Sequence, residues 1–275
     1  MTYCVAMRLN AGLVFLSDSR TNAGLDQIST FRKMTVYEQP EDRVIVMLSA
    51  GNLAITQAVK QLLGTEQIEG PDGKAVTLWN AKSMFDVARI VGSAIRKVYA
   101  RDAEALNDHG IDFNCNLIIG GQIKGETMRL FNVYAAGNFV EAGIDGVCYF
   151  QIGESKYGKP VIDRVVTPHT PLQEAAKCAL ISMDSTLKSN LSVGLPLDLM
   201  VYEADALKVD KLINIDDTNA YFRMIRSSWG QRLRQVFDSI PDPSWSGDQP
   251  DLSTHTSPSS QLQAMNPLTK IQAPG

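Results

Sequence analysis

The sequence predicts an α+β protein of four layers, an αββα sandwich in which two antiparallel sheets stack face to face between outer helices. The order of the elements carries this prediction: strands come first, then two helices, then strands, a helix, strands and a last helix. Strands that come in runs of this kind favour antiparallel sheets with segregated helices over the βαβ alternation of a parallel sheet.

The first part of the chain has the pattern of strands. Residues 2–8 and 13–18 are short β-type runs on either side of a loop at 10–12 that contains a glycine, which predicts a hairpin. Alternation over 31–37 predicts a third strand, and the almost continuous apolar run over 43–49 predicts a buried fourth strand. The chain therefore builds a sheet before any helix.

Apolar residues at helical spacing predict four helices, at about 55–63, 76–105, 172–189 and 218–239. Further strand patterns are found at 115–120, 128–135, 147–152, 197–203 and 207–213. The last helix carries an apolar stripe that we expect to pack in the core, made of Phe222, Ile225, Trp229, Leu233 and Val236. Its arginines are expected on a solvated or subunit-facing surface.

The composition changes after residue 240. The segment 241–275 holds six of the twelve prolines, many Ser and Gln residues and few aliphatic ones. Such a segment cannot offset the loss of chain entropy by burying apolar surface. We therefore predict one domain over 1–240 and a disordered or loosely docked tail over 241–275.

Charge and composition exclude several classes of function. A net charge of −4 without a dense basic run argues against binding to nucleic acid or to a membrane surface. No apolar run approaches the roughly 18 residues that span a bilayer, and no signal peptide is present, so a cytoplasmic protein is expected.

Four widely spaced cysteines predict buried free thiols. Three scattered histidines leave little material for a zinc site or a Ser-His-Asp triad, and no metal or cofactor is predicted.

The predicted hairpin brings reactive groups together near the N-terminus. A three-residue loop places Thr2 opposite Arg20, with Asp18 as its diagonal neighbour on the same face, roughly 7–8 Å away. A slip of one residue would move Asp18 to the other face. Lys33 on the next strand can approach the same point. A hydroxyl, a carboxylate and an ammonium group are thus expected close to the chain terminus.

These groups suit catalysis by an N-terminal threonine. Removal of Met1 would leave Thr2 with a free α-amine beside its own hydroxyl, so that one residue supplies both base and nucleophile. The Lys33 cation would lower the pKa of that amine, and Asp18 would hold Lys33 charged. The turn after the fourth strand, ending at Gly51, offers backbone N–H groups for an oxyanion. The same residues are also compatible with a purely structural role, as a turn former, a solvated charge and a tight turn.

Three sequence blocks resemble a known family almost word for word. TYCVAM, LVFLSDSRTNAG and STFRKM are similar to the start of the bacterial family Anbu, or ancestral beta subunit, in the proteasome β-subunit superfamily of N-terminal nucleophile hydrolases. The resemblance covers about residues 2–240 and excludes the tail. It implies the fold of that superfamily for this chain.

The resemblance also implies roles for individual residues. Thr2 matches the nucleophile, Asp18 and Lys33 match its acidic and basic partners, and Gly51 matches the oxyanion-hole glycine. IGES at 152–155 resembles the small-residue loop beside the nucleophile, and SNLSVGLP at 189–196 resembles a loop that supports the threonine. These two segments give three supporting candidates, namely Ser155, Asn190 and Ser192.

The leading hypothesis is a proteasome-like threonine peptidase or amidohydrolase that acts on peptides or unfolded protein segments inside a self-assembled ring or open helical array. Two alternatives stay open: a catalytically idle oligomeric scaffold, and an amide-forming or processing partner in peptide metabolism. The motifs specify neither a natural substrate nor an ATPase partner.

Overall fold

The computed structural model of the chain describes residues 2–22, 28–65, 68–69, 75–143 and 146–243. It contains five helices in this part of the chain: α1 Leu53–Thr65, α2 Met84–Asp108, α3 Lys159–Val165, α4 Leu172–Ser189 and α5 Ala220–Ser239. The strands are β1 Tyr3–Leu9, β2 Gly12–Asp18, β3 Arg20–Asn22, β4 Ile28–Thr30, β5 Met34–Gln39, β6 Arg43–Gly51, β7 Ile68–Glu69, β8 Ala75–Val76, β9 Cys115–Ile123, β10 Arg129–Val133, β11 Phe139–Glu141, β12 Tyr149–Gly153, β13 Leu197–Glu203 and β14 Lys211–Ile215.

Two five-stranded sheets form the centre of the protein. Sheet I has the order β12-β1-β2-β13-β14 and sheet II the order β11-β10-β9-β6-β5, with two small two-stranded ribbons beside them. Every strand pair in both sheets is antiparallel. The prediction of an α+β protein with antiparallel sheets flanked by helices is confirmed.

Three apolar clusters hold these elements together. The first joins residues of both sheets, among them Phe15 and Met200 of sheet I and Leu48 and Ile118 of sheet II. The second packs α1 and α2 against sheet II, and the third packs α4 and the first part of α5 against sheet I. Each fully buried Leu, Ile or Phe side chain in such a cluster stabilises the fold by roughly 1.5–3 kcal/mol.

The register of the first hairpin differs from the prediction by one residue. Leu9 pairs with Gly12, so the loop holds two residues instead of three. Gly12 joins β2 because the strand meets β13 very closely there: with φ +154°, a Cβ at this position would lie 2.0 Å from the carbonyl oxygen of Tyr202. That contact comes from distant sequence, so the local pattern around the turn does not reveal it.

The bounds of several other strands and helices also differ from the predicted ones. The segment 31–33 is not strand, because the Phe31 N–H donates to the Ser19 carbonyl at 2.8 Å and the strand begins at Met34. Helix α2 begins at 84 and not at 76, since the Ser83 hydroxyl caps it by accepting from the Asp86 N–H at 3.0 Å. The last strand starts at 211, after a turn with positive φ at Leu207. Helix α3 was not predicted.

Helix α5 is buried only near its start. Phe222 and Ile225 are almost fully buried, whereas Leu233 and Val236 are 49% and 59% exposed. The prediction that the whole apolar stripe packs in the core is therefore wrong for its second half.

Both large sheets lie in a compact unit that spans Met1–Trp229, and a second unit begins at Gly230. Most of the predicted tail, 244–275, lies outside the described residues.

Several expectations hold without change. Helix α4 and strand β13 have the predicted bounds. All four cysteines are free and buried, as predicted. Within the described ranges, none of the helices is long and apolar enough to cross a bilayer.

Candidate active site

Thr2 lies at the wall of a cavity of about 550 Å³ at one end of the two sheets. Its carbonyl oxygen accepts a hydrogen bond from the Glu154 N–H at 2.6 Å. The next residue, Tyr3, donates its N–H to Asp18 Oδ1 at 2.9 Å. The described residues around the cavity are Thr2, Thr21, Arg32, Lys33, Ser49, Ala50, Gly51, Leu53, Thr56, Asn114, Gly153 and Glu154.

Asp18 reaches this point although the predicted register was wrong. The β1–β2 ladder ends at the pair Cys4 and Ser17. One residue further along, the Asp18 carboxylate takes the place of a backbone acceptor for the Tyr3 N–H. Asp18 is itself fixed in sheet I by its pairing with Leu197. The end of a ladder therefore positions the carboxylate.

Lys33 and Asp18 form a buried ion pair beneath the cavity. The distance from Lys33 Nζ to Asp18 Oδ2 is 2.7 Å, and Lys33 Nζ also donates to the Arg20 carbonyl at 2.6 Å. Burial raises the pKa of Asp18, while Lys33 and the N–H groups of Tyr3 and Gly194 act in the opposite direction. Charge-assisted hydrogen bonds of this kind are shorter and stronger than neutral ones. The pair thus holds the ammonium group of Lys33 at the cavity wall.

Gly51 closes the strand β6 in a conformation that a side chain does not allow. Its φ is +112°, and a Cβ would lie 2.3 Å from the Asn114 carbonyl oxygen. The Ser49 N–H points to β5 and donates to the Lys33 carbonyl at 3.0 Å, whereas the Asn52 N–H points to the other side and donates to Asn114. Successive N–H groups of a strand alternate in this way, so we expect that of Gly51 on the Lys33 side.

Helix α1 begins directly after this turn. The Asn52 side chain accepts a hydrogen bond from the Ala54 N–H at 3.0 Å, which is the geometry of a capped helix start. The N-terminal end of a helix carries partial positive charge. The cavity wall next to Gly51 therefore favours a developing negative charge.

The supporting candidates are placed unequally. Ser155 does not line the cavity; its N–H donates to the Gly153 carbonyl at 3.1 Å. Asn190 Nδ2 donates to Glu154 Oε2 at 3.1 Å, and Asn190 Oδ1 accepts from the Ser192 N–H at 2.9 Å. Asn190 and Ser192 are thus linked to Thr2 through Glu154.

Sequence reasoning missed Glu154, although it lies in the IGES segment. Glu154 reaches Thr2 because β1 pairs with β12. In this pairing Tyr3 lies opposite Gly153, and the N–H of the following residue donates to the Thr2 carbonyl oxygen. Arg32 was also missed; it lines the cavity, and one guanidinium nitrogen lies 3.9 Å from Asp198 Oδ1. Over the described ranges, no group of three His, Cys, Asp or Glu side chains is placed to hold a metal ion.

Comparison with known proteins identifies the family. No protein-family model matches the chain, and no curated protein matches it. Solved structures do match. The chain is 52% identical to "Anbu (ancestral beta-subunit)" from Yersinia bercovieri, with 89% of this chain and all of that chain covered and a TM-score of 0.81. It is 48% identical to Anbu from Hyphomicrobium sp. strain MC1, over 88% of this chain and 99% of that one, with a TM-score of 0.79.

A third structure carries information on assembly in its name. "Helical Assembly of the Anbu Complex" from Pseudomonas aeruginosa is 44% identical, covers 90% of this chain and all of that chain, and has a TM-score of 0.82. Identity at this level over nearly the whole described fold shows common ancestry and not only a shared architecture. The chain belongs to the Anbu, or ancestral beta-subunit, family.

Proposed function

We propose that the protein is a threonine peptidase or amidohydrolase that cleaves peptide or amide bonds by attack of Thr2 Oγ1 on the carbonyl carbon. One observation carries the proposal: Thr2 shares a single cavity with Gly51 and with Lys33, whose ammonium is paired to buried Asp18. Acyl transfer by a threonine requires a nucleophilic hydroxyl, a cation that tunes the base, and a backbone N–H that donates to the oxyanion. In this proposal Thr2, Lys33 and Gly51 supply these groups.

The proposed reaction begins with a proton transfer within Thr2. Once Met1 is removed, the free α-amine accepts the Oγ1 proton while Oγ1 bonds to the substrate carbonyl carbon. The Lys33 cation lowers the pKa of the amine by like-charge repulsion, which increases the fraction of base at neutral pH. The Gly51 N–H donates to the oxyanion of the tetrahedral intermediate.

The second half of the reaction returns Thr2 to its starting state. The ammonium gives its proton to the leaving amine as the C–N bond breaks, which leaves an ester on Oγ1. The amine then takes a proton from water while the water oxygen bonds to the ester carbonyl carbon. The C–Oγ1 bond breaks, Oγ1 regains the proton, and a carboxylic acid product leaves.

The proposal includes an assembly and a location. The named helical assembly of the Pseudomonas aeruginosa relative supports a homo-oligomer for this chain, as an open helix or a ring. An enclosed array would restrict access to peptides and unfolded segments in the cytoplasm. The three apolar clusters support the finer fold description, a four-layer αββα sandwich. The proposed domain covers residues 1–240, followed by a tail over 241–275.

Hydrolysis of a mixed library of fluorescence-quenched peptides tests this function. We compare the wild-type protein, with Met1 shown by intact mass to be absent, with Thr2→Ala purified in the same way. We expect hydrolysis by the wild type and none by Thr2→Ala. Equal rates in both proteins, or no hydrolysis of any peptide by the wild type, would contradict the proposal and favour the idle scaffold.

A further inference from the structure

Glu154 holds Thr2 through the main chain. The Glu154 N–H donates to the Thr2 carbonyl oxygen at 2.6 Å. The preceding Gly153 approaches so closely, with φ +81°, that a Cβ there would lie 2.0 Å from the same oxygen. The loop after β12 is therefore in direct contact with the backbone of Thr2. Continuing the β1–β12 register by one position places Glu154 opposite Thr2, and directly opposite residues of an antiparallel pair project their side chains to the same face of the sheet.

The carboxylate of Glu154 is fixed by a buried amide. Asn190 Nδ2 donates to Glu154 Oε2 at 3.1 Å, and Asn190 is only 8% exposed. Asn190 is fixed in turn at the C-terminal end of α4, where its N–H donates to the Thr186 carbonyl at 2.9 Å. Its Oδ1 accepts from the Ser192 N–H. A rigid helix end thus sets the direction of the Glu154 side chain.

The charges around the cavity distinguish Glu154 from its neighbours. The charged residues at the described cavity wall are Arg32, Lys33 and Glu154. Lys33 is compensated by Asp18, whose two oxygens are engaged by Lys33 and by the Tyr3 N–H. The Arg32 side chain is 66% exposed. Glu154 is therefore the carboxylate that lines the cavity together with Thr2.

We propose that Glu154 is a positioning residue for the α-amine of Thr2. Its carboxylate accepts a hydrogen bond from the amine and directs the nitrogen lone pair towards Oγ1. When the amine takes the Oγ1 proton, the negative charge of Glu154 stabilises the new ammonium until the leaving amine receives that proton. Lys33 and Glu154 act in opposite directions on the pKa of the amine: the cation lowers it and the carboxylate raises it. This inference rests on the proposed function of Thr2.

The pKa of the Thr2 amine is the direct test. We measure it in the full-length protein from the pH dependence of amine acylation by acetic anhydride, followed on the N-terminal peptide by mass spectrometry. Glu154→Gln removes the charge but keeps an oxygen that accepts from Asn190. We expect the pKa of the amine to fall by roughly one unit. Glu203→Gln, at the far end of β13 where the side chain is exposed, is the matched control and should leave the pKa unchanged.

The kinetic readout separates positioning from a structural role. In Glu154→Gln, kcat on the pH plateau should fall roughly tenfold with KM unchanged, and the acid limb of the profile should move to lower pH. Glu154→Ala also removes the charge and should give the same shift, so a folding defect confined to one variant leaves the test intact. An identical amine pKa in wild type and both variants overturns the inference about Glu154 and leaves Thr2 as nucleophile untouched. Retention of Met1 in the wild type would overturn both.

Discussion

Lys33 Nζ lies 2.7 Å from Asp18 Oδ2, and both side chains are almost completely buried. An ion pair in this setting is sensitive to the loss of one partner, because the remaining charge stays buried without compensation. The pair joins the segment before β5 to the end of β2, so it links sheet II to sheet I directly beside Thr2. Its integrity affects both the stability of the fold and the chemistry of the site.

Asp18→Asn should lower the free energy of unfolding by about 3 kcal/mol, since it leaves the Lys33 ammonium buried and unpaired. The double variant Asp18→Asn with Lys33→Met should recover most of that loss, because neither charge remains. Urea unfolding at one fixed protein concentration measures both values. A double variant that is less stable than the single one would show that the pair contributes more than compensation of two buried charges.

Lys33→Ala should move the acid limb of the pH–activity profile to higher pH by roughly one unit. The sign follows from the role of the amine: the base works when deprotonated, and the loss of a nearby cation raises its pKa. Activity at neutral pH falls accordingly. Lys208→Ala, which removes an exposed lysine, is the control. A profile of Lys33→Ala that coincides with the wild type at every pH contradicts the role of Lys33.

Gly51→Ala should reduce kcat by at least about 100-fold, the effect of losing an oxyanion donor. A methyl group at this position would lie 2.3 Å from the Asn114 carbonyl and force the strand end to move. Gly64→Ala in α1 is the matched control, because a Cβ at that position contacts nothing within 4 Å. Steady-state kinetics on one cleavable peptide compares the two variants. Gly64→Ala should keep the wild-type kcat. If Gly51→Ala keeps it as well, Gly51 is not the oxyanion donor.

The local pattern was sufficient for α4, where one side of the helix is buried, and for β13, where a short run is buried on both faces. Both elements were predicted with correct bounds. The contact of Lys33 with Asp18 was also predictable, since both residues lie within a few strands of the N-terminus. That ion pair joins residues only 15 positions apart in the chain.

Long-range contacts explain what the sequence did not reveal. The two-residue turn of the first hairpin depends on the close approach of Gly12 to Tyr202, nearly 200 residues later. Glu154 reaches Thr2 only because β12 pairs with β1. The spacing within IGES does not indicate which of Glu154 and Ser155 faces the cavity. Such choices are made by tertiary pairing and not by local propensity.

Catalysis by Thr2 requires a free α-amine, because any residue left before Thr2 converts the amine into an amide without useful basicity. The most direct measurement is therefore mass-spectrometric detection of a peptide epoxyketone adduct on Thr2 in two versions of the full-length protein. One version carries an uncleaved tag before Thr2, and the other carries the same tag after Gly275. We predict an adduct on Thr2 only in the protein tagged after Gly275, once Met1 is shown to be absent. Equal labelling of Thr2 in both versions, with the N-terminal tag intact, or no labelling in either, would contradict catalysis by the free amine of Thr2.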